Sequence, residues 1–366
     1  MKKRILILVN HELVVYNFRR ELVERLLMDG FDVFISSPPG EKINFLVNLG
    51  CHYIESKVDR RGVNPIRDFK LFGYYRKVLK AIKPDVVLSY TIKPNIYGGL
   101  ASRLLNIPYI ANITGLGSAV ENAGLTQKLA ILLYKIAFKR VQRIFVQNED
   151  NKQFFISKNI KKDRLKILPG SGVNLEQFCV LDYPLDITIE FAFISRIMRE
   201  KGIEEYIEAA KSIKQRFSNV KFHICGFCEE DYKPMLDKLH KEGIINYHGN
   251  VKDIRKIHET VHCIVHPSYY PEGMSNVLLE ACASARPVMS TRRAGCREII
   301  DDGVNGFLFN EKDSCDLIEK LENFIALPYL EMKKMGLEAR KKVEKEFDRR
   351  LVVEAYLEEI NSIYGL

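Results

Sequence analysis

The chain of 366 residues reads as an α/β protein built from two doubly wound domains whose parallel sheets face a cleft. Three observations predict it. Short apolar strands lack internal polar alternation, amphipathic helical segments separate them, and the whole pattern restarts near residue 190. The length also exceeds one ordinary core and suits two of about 150 to 200 residues.

RILILV (4–9) and DVFISS (32–37) are strands, and between them VYNFRRELVERLLMDG has helical spacing that stops at Gly30. IRDFKLFGYYRKVLKAIK (66–83) is an amphipathic helix stopped by Pro84, and DVVLSY (85–90) is the next strand. The helical NIYGGLASRLLN, the strand PYIANITG, the helical TQKLAILLYKIAFKR (126–140) and the strand RIFVQN (143–148) follow. RLKILPGSGVNLEQF (164–178) closes this unit, and VLDYPLDITI has the turn chemistry of a connector.

The second half runs EFAFIS (190–195), a helix from about Ile203, VKFHICG (220–226), a helix over 232–241, INYHG (245–249), a helix over 252–259 and CIVHPS (263–268). A Pro/Gly-flanked turn, a helix from near Ser275 and RPVMST (286–291) come next. The domains are therefore expected at 1–178 and 190–348, with a last helix, RRLVVEAYLEEINSIYG, beyond the second pattern.

The start, MKKRILILVN, has basic residues before an apolar run, but Asn10, His11 and Glu12 end that run after five residues. A secretory core needs roughly 7 to 15. No run reaches the roughly 18 apolar residues of a spanning helix, so a cytoplasmic protein, or one attached to a membrane from outside it, is expected. Eight scattered cysteines, several within apolar segments, suit reduced core thiols. Cys225 and Cys228 form a CxxC without a second pair, so no metal is expected.

Charge is uneven. Residues 1–180 carry 29 Lys and Arg against 15 Asp and Glu, whereas residues 181–366 carry 27 against 32. The basic half faces something negative: anionic lipid headgroups, a phosphorylated acceptor or nucleic acid. The helix over 66–83 interleaves Arg67, Lys70, Arg76, Lys77, Lys80 and Lys83 with Phe69, Phe72 and Tyr75, as a membrane-surface helix or a sheet-covering helix with a solvated face would.

Ligands of such sheets bind outside the carboxyl ends of the strands. After EFAFIS, the loop SRIMREKG sets Arg196 and Lys201 around a turn that opens a helix at Gly202, which suits a diphosphate clamp because the helix N-terminus adds to their charge. Gly226 and Gly249 end strands, either to admit a ligand ring or simply to turn the chain. In SYYPEGMSNVLLEA, Glu272 precedes a helix and Glu280 lies about one and a half turns inside it. A carboxylate within NVLLEACASA needs hydrogen-bond donors if buried, and a ribose diol supplies them; an exposed helix position is the alternative.

Glu272 and Glu280, spaced E-x7-E, with Arg196 and Lys201, resemble the signature of the retaining glycosyltransferases of family 4, which have the GT-B fold. GLASRLLNIPYIANITGLGS, ILPGSGVNLEQF and STRRAGCREIIDDGVNGFLF also resemble phrases of that family, so the likeness covers nearly the whole chain. EGMSNVLLEA and the TGLGS loop look most like bacterial enzymes that add a sugar, often an N-acetylhexosamine, to a lipid-diphosphate-linked saccharide.

The resemblance implies that Glu272 touches donor-sugar hydroxyls near C3 and C4, with the backbone N–H groups of Gly273, Met274, Ser275 and Asn276 along the sugar and phosphates. It further implies that Glu280 binds the ribose, Arg196 and Lys201 bind the diphosphate of a UDP-sugar, and Val251, with Gly226 nearby, meets the base. It implies metal-independent, front-face transfer with retention, no cofactor, a basic acceptor domain at the inner face of the cytoplasmic membrane, no nucleic-acid partner, and a C-terminal helix 349–366 that crosses back onto the first domain. Two departures stand out. Relatives often have a glycine-rich loop where this chain reads NHELVVYNF, and a histidine where it reads NITGLGS; Thr114, Gly115 and His11 are the candidates for those contacts. A sugar-nucleotide epimerase of the same fold and a non-enzymatic basic membrane or nucleic-acid binder are the rival readings.

Overall fold

The computed structural model describes residues 2–58, 64–117, 124–185 and 188–365. Ser118 of the TGLGS loop and residues 186–187 of the connector lie outside them. Two compact units form: Met1–Gly172 with Pro271–Met274 and Arg349–Leu366, and Val173–Tyr270 with Ser275–Asp348. Residues 173–178, assigned by sequence to the first domain, pack with the second, where the Val173 N–H donates to the Phe347 carbonyl at 2.8 Å.

The first unit holds seven strands: β1 (Arg4–Leu8), β2 (Asp32–Ser37), β3 (His52–Glu55), β4 (Val86–Tyr90), β5 (Tyr109–Ile113), β6 (Arg143–Val146) and β7 (Leu165–Ile167). They lie in the order β3-β2-β1-β4-β5-β6-β7 with every described pairing parallel. Strand alternation explains why β1 is apolar throughout. Ile5 and Ile7 enter the core on one face, Leu6 and Leu8 the core on the other, so both faces are covered.

The expected single helix after β1 is two, α1 (Leu13–Phe18) and α2 (Arg20–Met28). They part at Arg19, whose non-helical backbone turns a fully buried guanidinium to within 5.0 Å of the Tyr90 ring and 5.7 Å of the Tyr356 ring. Helix α3 (Ile43–Asn48) precedes β3. Helix α4 (Pro65–Ile82) starts where the Asn64 side chain accepts from the N–H groups of Ile66 and Arg67, with Pro65 at the first helical position, and ends at left-handed Lys83 before Pro84. A π-turn over Pro94–Gly98 leads into α5 (Gly99–Leu104), and α6 (Leu125–Ala137) and α7 (Glu149–Ser157) complete this part of the chain.

The second unit holds β8 (Ile189–Ile194), β9 (Val220–Cys225), β10 (Asn246–Gly249), β11 (Cys263–His266), β12 (Val288–Thr291) and β13 (Gly306–Phe309). Their order is β10-β9-β8-β11-β12-β13, again parallel in every described pairing. The connecting and covering helices are α8 (Ile203–Arg216), α9 (Lys233–Lys241), α10 (Arg255–Thr260), α11 (Asn276–Ala283), α12 (Ser314–Ile325) and α13 (Tyr329–Glu346). The last helix, α14 (Arg349–Tyr364), belongs to the first unit. Its Val352, Tyr356 and Ile360 enter the core around Ile5 and Ile7, and Arg349 anchors its start on the Gly172 carbonyl and the Glu21 carboxylate. Among the described residues no helix is long and apolar enough to cross a membrane.

Candidate active site

In the second sheet the order reverses between β8 and β11, neighbours that are not consecutive in sequence. Loops leaving two such strands at their carboxyl ends diverge and leave a crevice, the preferred ligand position of open α/β sheets. The loop after β8 carries Arg196 and Lys201; the loop after β11 carries Tyr269 and Tyr270. They are joined directly, since the Tyr269 N–H donates to the Glu200 carbonyl at 3.0 Å.

This junction brings the two sequence-selected cations together. The Arg196 guanidinium lies 5.3 Å and the Lys201 ammonium 4.8 Å from the centre of the same Tyr270 ring. Lys201 is only 7% exposed, a costly position for an ammonium without favourable surroundings. Arg196 is hydrogen-bonded to the Glu229 carboxylate, which comes from the loop after β9. Burial pulls the Arg196 pKa down, but Glu229 and Tyr270 together outweigh it and the net shift is upward. Neither Tyr270 nor Glu229 was selected from sequence. No spacing links them to the cations, although an acid close behind a neighbouring strand end was a usable hint.

Gly226, at the end of β9, has φ +150°, and a Cβ there would lie 1.7 Å from the Ser195 carbonyl oxygen. Its lack of a side chain is thus demanded by the adjacent backbone of β8, before any ligand is considered. Its N–H donates to the Gly249 carbonyl at 2.7 Å, which ties the β9 and β10 ends together just before half-buried Val251. Around Gly249 itself the space a side chain would enter is open.

Helix α11 begins at Ser275, which has an extended backbone and no side-chain cap hydrogen bond. Ser275 is 1% exposed, yet among the described residues its hydroxyl has no hydrogen-bond partner, and neither does the Asn276 side-chain oxygen. Buried polar atoms without partners are uncommon and are places where a ligand can supply the missing bond. The Ser275 N–H is committed to the Gly295 carbonyl at 2.8 Å, so the expected backbone contact from this residue is already used and the hydroxyl is what it can offer. Half-buried Glu280 is the fifth residue of the helix.

Pro271–Met274, including Glu272, Gly273 and Met274, pack with the first unit. The Gly273 carbonyl accepts from the Asn148 side chain at 2.6 Å, and a Cβ on Gly273 would approach the Thr114 carbonyl to 2.5 Å. Gly115 has φ +145° and its Cβ position lies 3.2 Å from the Gly273 nitrogen. Thr114 and Gly115 therefore adjoin the glutamate loop, and Asn148, not selected from sequence, holds it. His11 lies in the loop after β1, with Nδ1 2.8 Å from the carboxylate of buried Glu12.

All eight cysteines are free; Cys51, Cys225, Cys263, Cys282 and Cys296 are buried, Cys228 is half-buried, and Cys179 and Cys315 are exposed. Among the described residues no group of three or more His, Cys, Asp or Glu is arranged to hold a metal ion.

Comparison with known proteins agrees with this architecture. The Glycosyl transferase 4-like family profile matches residues 4–148, and the Glycosyl transferases group 1 profile matches residues 187–342. The chain is 27% identical to the N,N'-diacetylbacillosaminyl-diphospho-undecaprenol alpha-1,3-N-acetylgalactosaminyltransferase of Campylobacter jejuni, covering 94% of each chain. It is 26% identical to the UDP-Gal:alpha-D-GlcNAc-diphosphoundecaprenol alpha-1,3-galactosyltransferase of Escherichia coli, covering 82% of this chain and 83% of that one. Among solved structures, a glycosyltransferase from Rickettsia africae superposes with a TM-score of 0.81 at 21% identity over 99% of both chains. Anabaena HepE in complex with UDP-glucose does so with 0.79 at 18% identity over 98% of this chain and 99% of that one. With a Glycosyl transferase 4-like domain on the first of its Rossmann-like units and a Glycosyl transferases group 1 domain on the second, the chain belongs to the glycosyltransferases of GT-B fold.

Proposed function

We propose that the protein transfers a hexose or N-acetylhexosamine from a UDP-sugar to a lipid-diphosphate-linked saccharide, with retention of configuration and without a metal, while attached peripherally to the inner face of the cytoplasmic membrane. The observation that carries this reading is the pair of cations over Tyr270 at the topological switch point, in the unit that also presents the buried Ser275 hydroxyl, unpartnered among the described residues, at the start of α11. The acceptor class follows the two bacterial relatives named for diphospho-undecaprenol substrates, and the donor class follows the galactosyltransferase among them and the UDP-glucose complex of HepE.

In this reading Arg196 and Lys201 stabilise the charge that gathers on the departing UDP, and the N-terminus of α11 adds its dipole. Glu280 holds the ribose hydroxyls, and Val251 meets the base beside Gly226. Glu272 orients the donor sugar, with Gly273, Met274 and Asn276 along the sugar and phosphates and Thr114 and Gly115 next to them. No protein nucleophile is required. The acceptor hydroxyl attacks the anomeric carbon on the face from which UDP leaves; the C1–O bond to phosphate breaks as the new glycosidic bond forms, and a leaving-phosphate oxygen takes the hydroxyl proton. The enzyme contributes position and electrostatics.

The test is to incubate the purified protein with individual UDP-sugars and a short-chain polyprenyl-diphosphate-linked saccharide, to read the anomeric configuration of the product by NMR, and to repeat with EDTA. Transfer with retention, unaffected by EDTA, is expected. An inverted linkage or an EDTA-sensitive rate would remove those parts of the reading, and a C2-inverted sugar nucleotide formed without acceptor would replace it with an epimerase.

A further inference from the structure

A second feature of the molecule lies away from the switch point of the second unit. A groove of about 790 Å³ lies between α4, α5 and α6 of the first unit, lined chiefly by Phe69, Phe72, Leu100, Leu104, Leu129 and Leu133. Large apolar side chains also stand in solvent around it. Leu125 is 86% exposed, Phe69 74% and Ile66 70%, and Leu129, Leu132 and Leu104 are each half exposed or more. On α6, Leu125, Leu129 and Leu132 follow the i, i+4, i+7 spacing of one helical stripe, so an apolar stripe faces outward beside the apolar groove. A contiguous exposed patch of this kind marks an interaction surface.

Charge identifies the partner. From Pro65 to Arg140 the sequence carries 12 Lys and Arg against 3 Asp and Glu. One of the three acids, Asp68, is already paired with Lys93 at 2.8 Å. Arg103 and Arg140 border the groove with their guanidinium groups on neutral acceptors, the Ile136 carbonyl and the Asn106 side chain. Their positive charge is not cancelled by carboxylates in those contacts. A second copy of the chain would oppose this excess with its own, and nucleic acid would leave the leucine stripe in water. An acidic phospholipid surface satisfies both features, because its chains cover the leucines and its phosphates meet the cations.

We propose that α4, α5 and α6 form a membrane-docking face, with α6 lying at the headgroup boundary and the groove admitting one acyl chain of an acidic phospholipid. The inference rests on the proposed lipid-linked acceptor and deepens it by naming the surface that meets the bilayer. Docking of this kind holds an enzyme at the surface where its acceptor is confined in two dimensions.

The chain contains no tryptophan, so Leu129→Trp places a single tryptophan at the groove, excited selectively over the tyrosines. With vesicles of phosphatidylglycerol and phosphatidylcholine, its emission should shift to the blue and be quenched by bromine on the acyl chains. In the wild-type background, Leu125→Asp/Leu132→Asp should weaken vesicle binding at least about tenfold. Lys128→Glu/Lys135→Glu should weaken it by about fivefold or more per cation, with pure phosphatidylcholine a poor substitute. These side chains are exposed, and UDP affinity by calorimetry, expected to be unchanged, verifies that the variants fold. Water-like emission with acidic vesicles overturns the proposal. So does a dimer in sedimentation that Leu132→Asp dissolves, since a second copy would then cover the stripe. Vesicle binding is read without donor or acceptor. Docking without sugar transfer would therefore defeat only the transferase reading, and transfer without docking only this one.

Discussion

Arg196→Ala separates what this cation does for catalysis from what it does for the fold. In the proposed reaction Arg196 stabilises the leaving diphosphate, and loss of one such contact costs on the order of 10² to 10³ in rate. The structure adds a second consequence. Arg196 is hydrogen-bonded to Glu229, whose side chain is 15% exposed, so truncation takes a charged partner from a largely buried carboxylate. The Arg196 side chain itself is 34% exposed, and solvent screening brings the stability penalty to about 1–2 kcal/mol. For a domain of this size that lowers Tm by about 2–4 °C for each kcal/mol. Arg196→Ala/Glu229→Gln also removes the negative charge that Arg196 had offset and should recover part of the Tm loss while leaving transfer slow. Thermal unfolding and single-turnover transfer on the three proteins give both readouts. Turnover of Arg196→Ala within a few fold of wild type would refute the catalytic assignment, and a double variant that regains activity would show that the loss came from Glu229.

Glu280→Ala should weaken UDP binding by about 10- to 100-fold, as expected for lost hydrogen bonds to a charged acceptor, with a smaller effect on turnover at saturating donor; an unchanged calorimetric Kd would remove the ribose assignment. A pH effect arises in the second unit. Burial, with nearby Arg286 adding to it, pushes the pKa of His258 down from 6.5 to about 3. Below pH 6.5 the unfolded chain takes this proton and the folded chain does not, so the stability is fully present above 6.5 and falls by about 1.4 kcal/mol per pH unit as acid is added towards 3. Urea midpoints at pH 7 and 5.5 should differ in wild type and converge in His258→Gln; an equal drop in both proteins would place the titration elsewhere.

Sequence patterning reached much of this fold because parallel strands covered on both faces are apolar throughout. RILILV and EFAFIS are legible without any knowledge of their neighbours. What escaped has a physical reason in each case. Strands β3 and β7 are edge strands, and HYIE and LKI are short and only partly buried, so they lack the apolar run that reveals a central strand. β13 is an edge strand too, and GFLF is too brief to tell from a loop. Helices α12 and α13 follow one another without an intervening strand, which breaks the alternation used to find the others. The split between α1 and α2 depends on the rings of Tyr90 and Tyr356, from a distant strand and the last helix, and nothing near Arg19 in sequence announces it.

The candidate site was legible in its charges and not in what holds them. Arg196, Lys201, Glu272 and Glu280 are visible because loops at strand ends and an acid inside an apolar helix are local features. Glu229 and Tyr270 become part of the site only when β9 and β11 are laid on either side of β8, a consequence of strand order. Two cations over one ring repel each other, and the Glu229 carboxylate offsets part of that repulsion at Arg196. A diphosphate arriving in the proposed mode carries more charge than Glu229 and competes with it for the same guanidinium. The clamp would therefore exchange a protein carboxylate for the donor phosphates, which keeps the empty site stable without adding a permanent barrier to release of UDP.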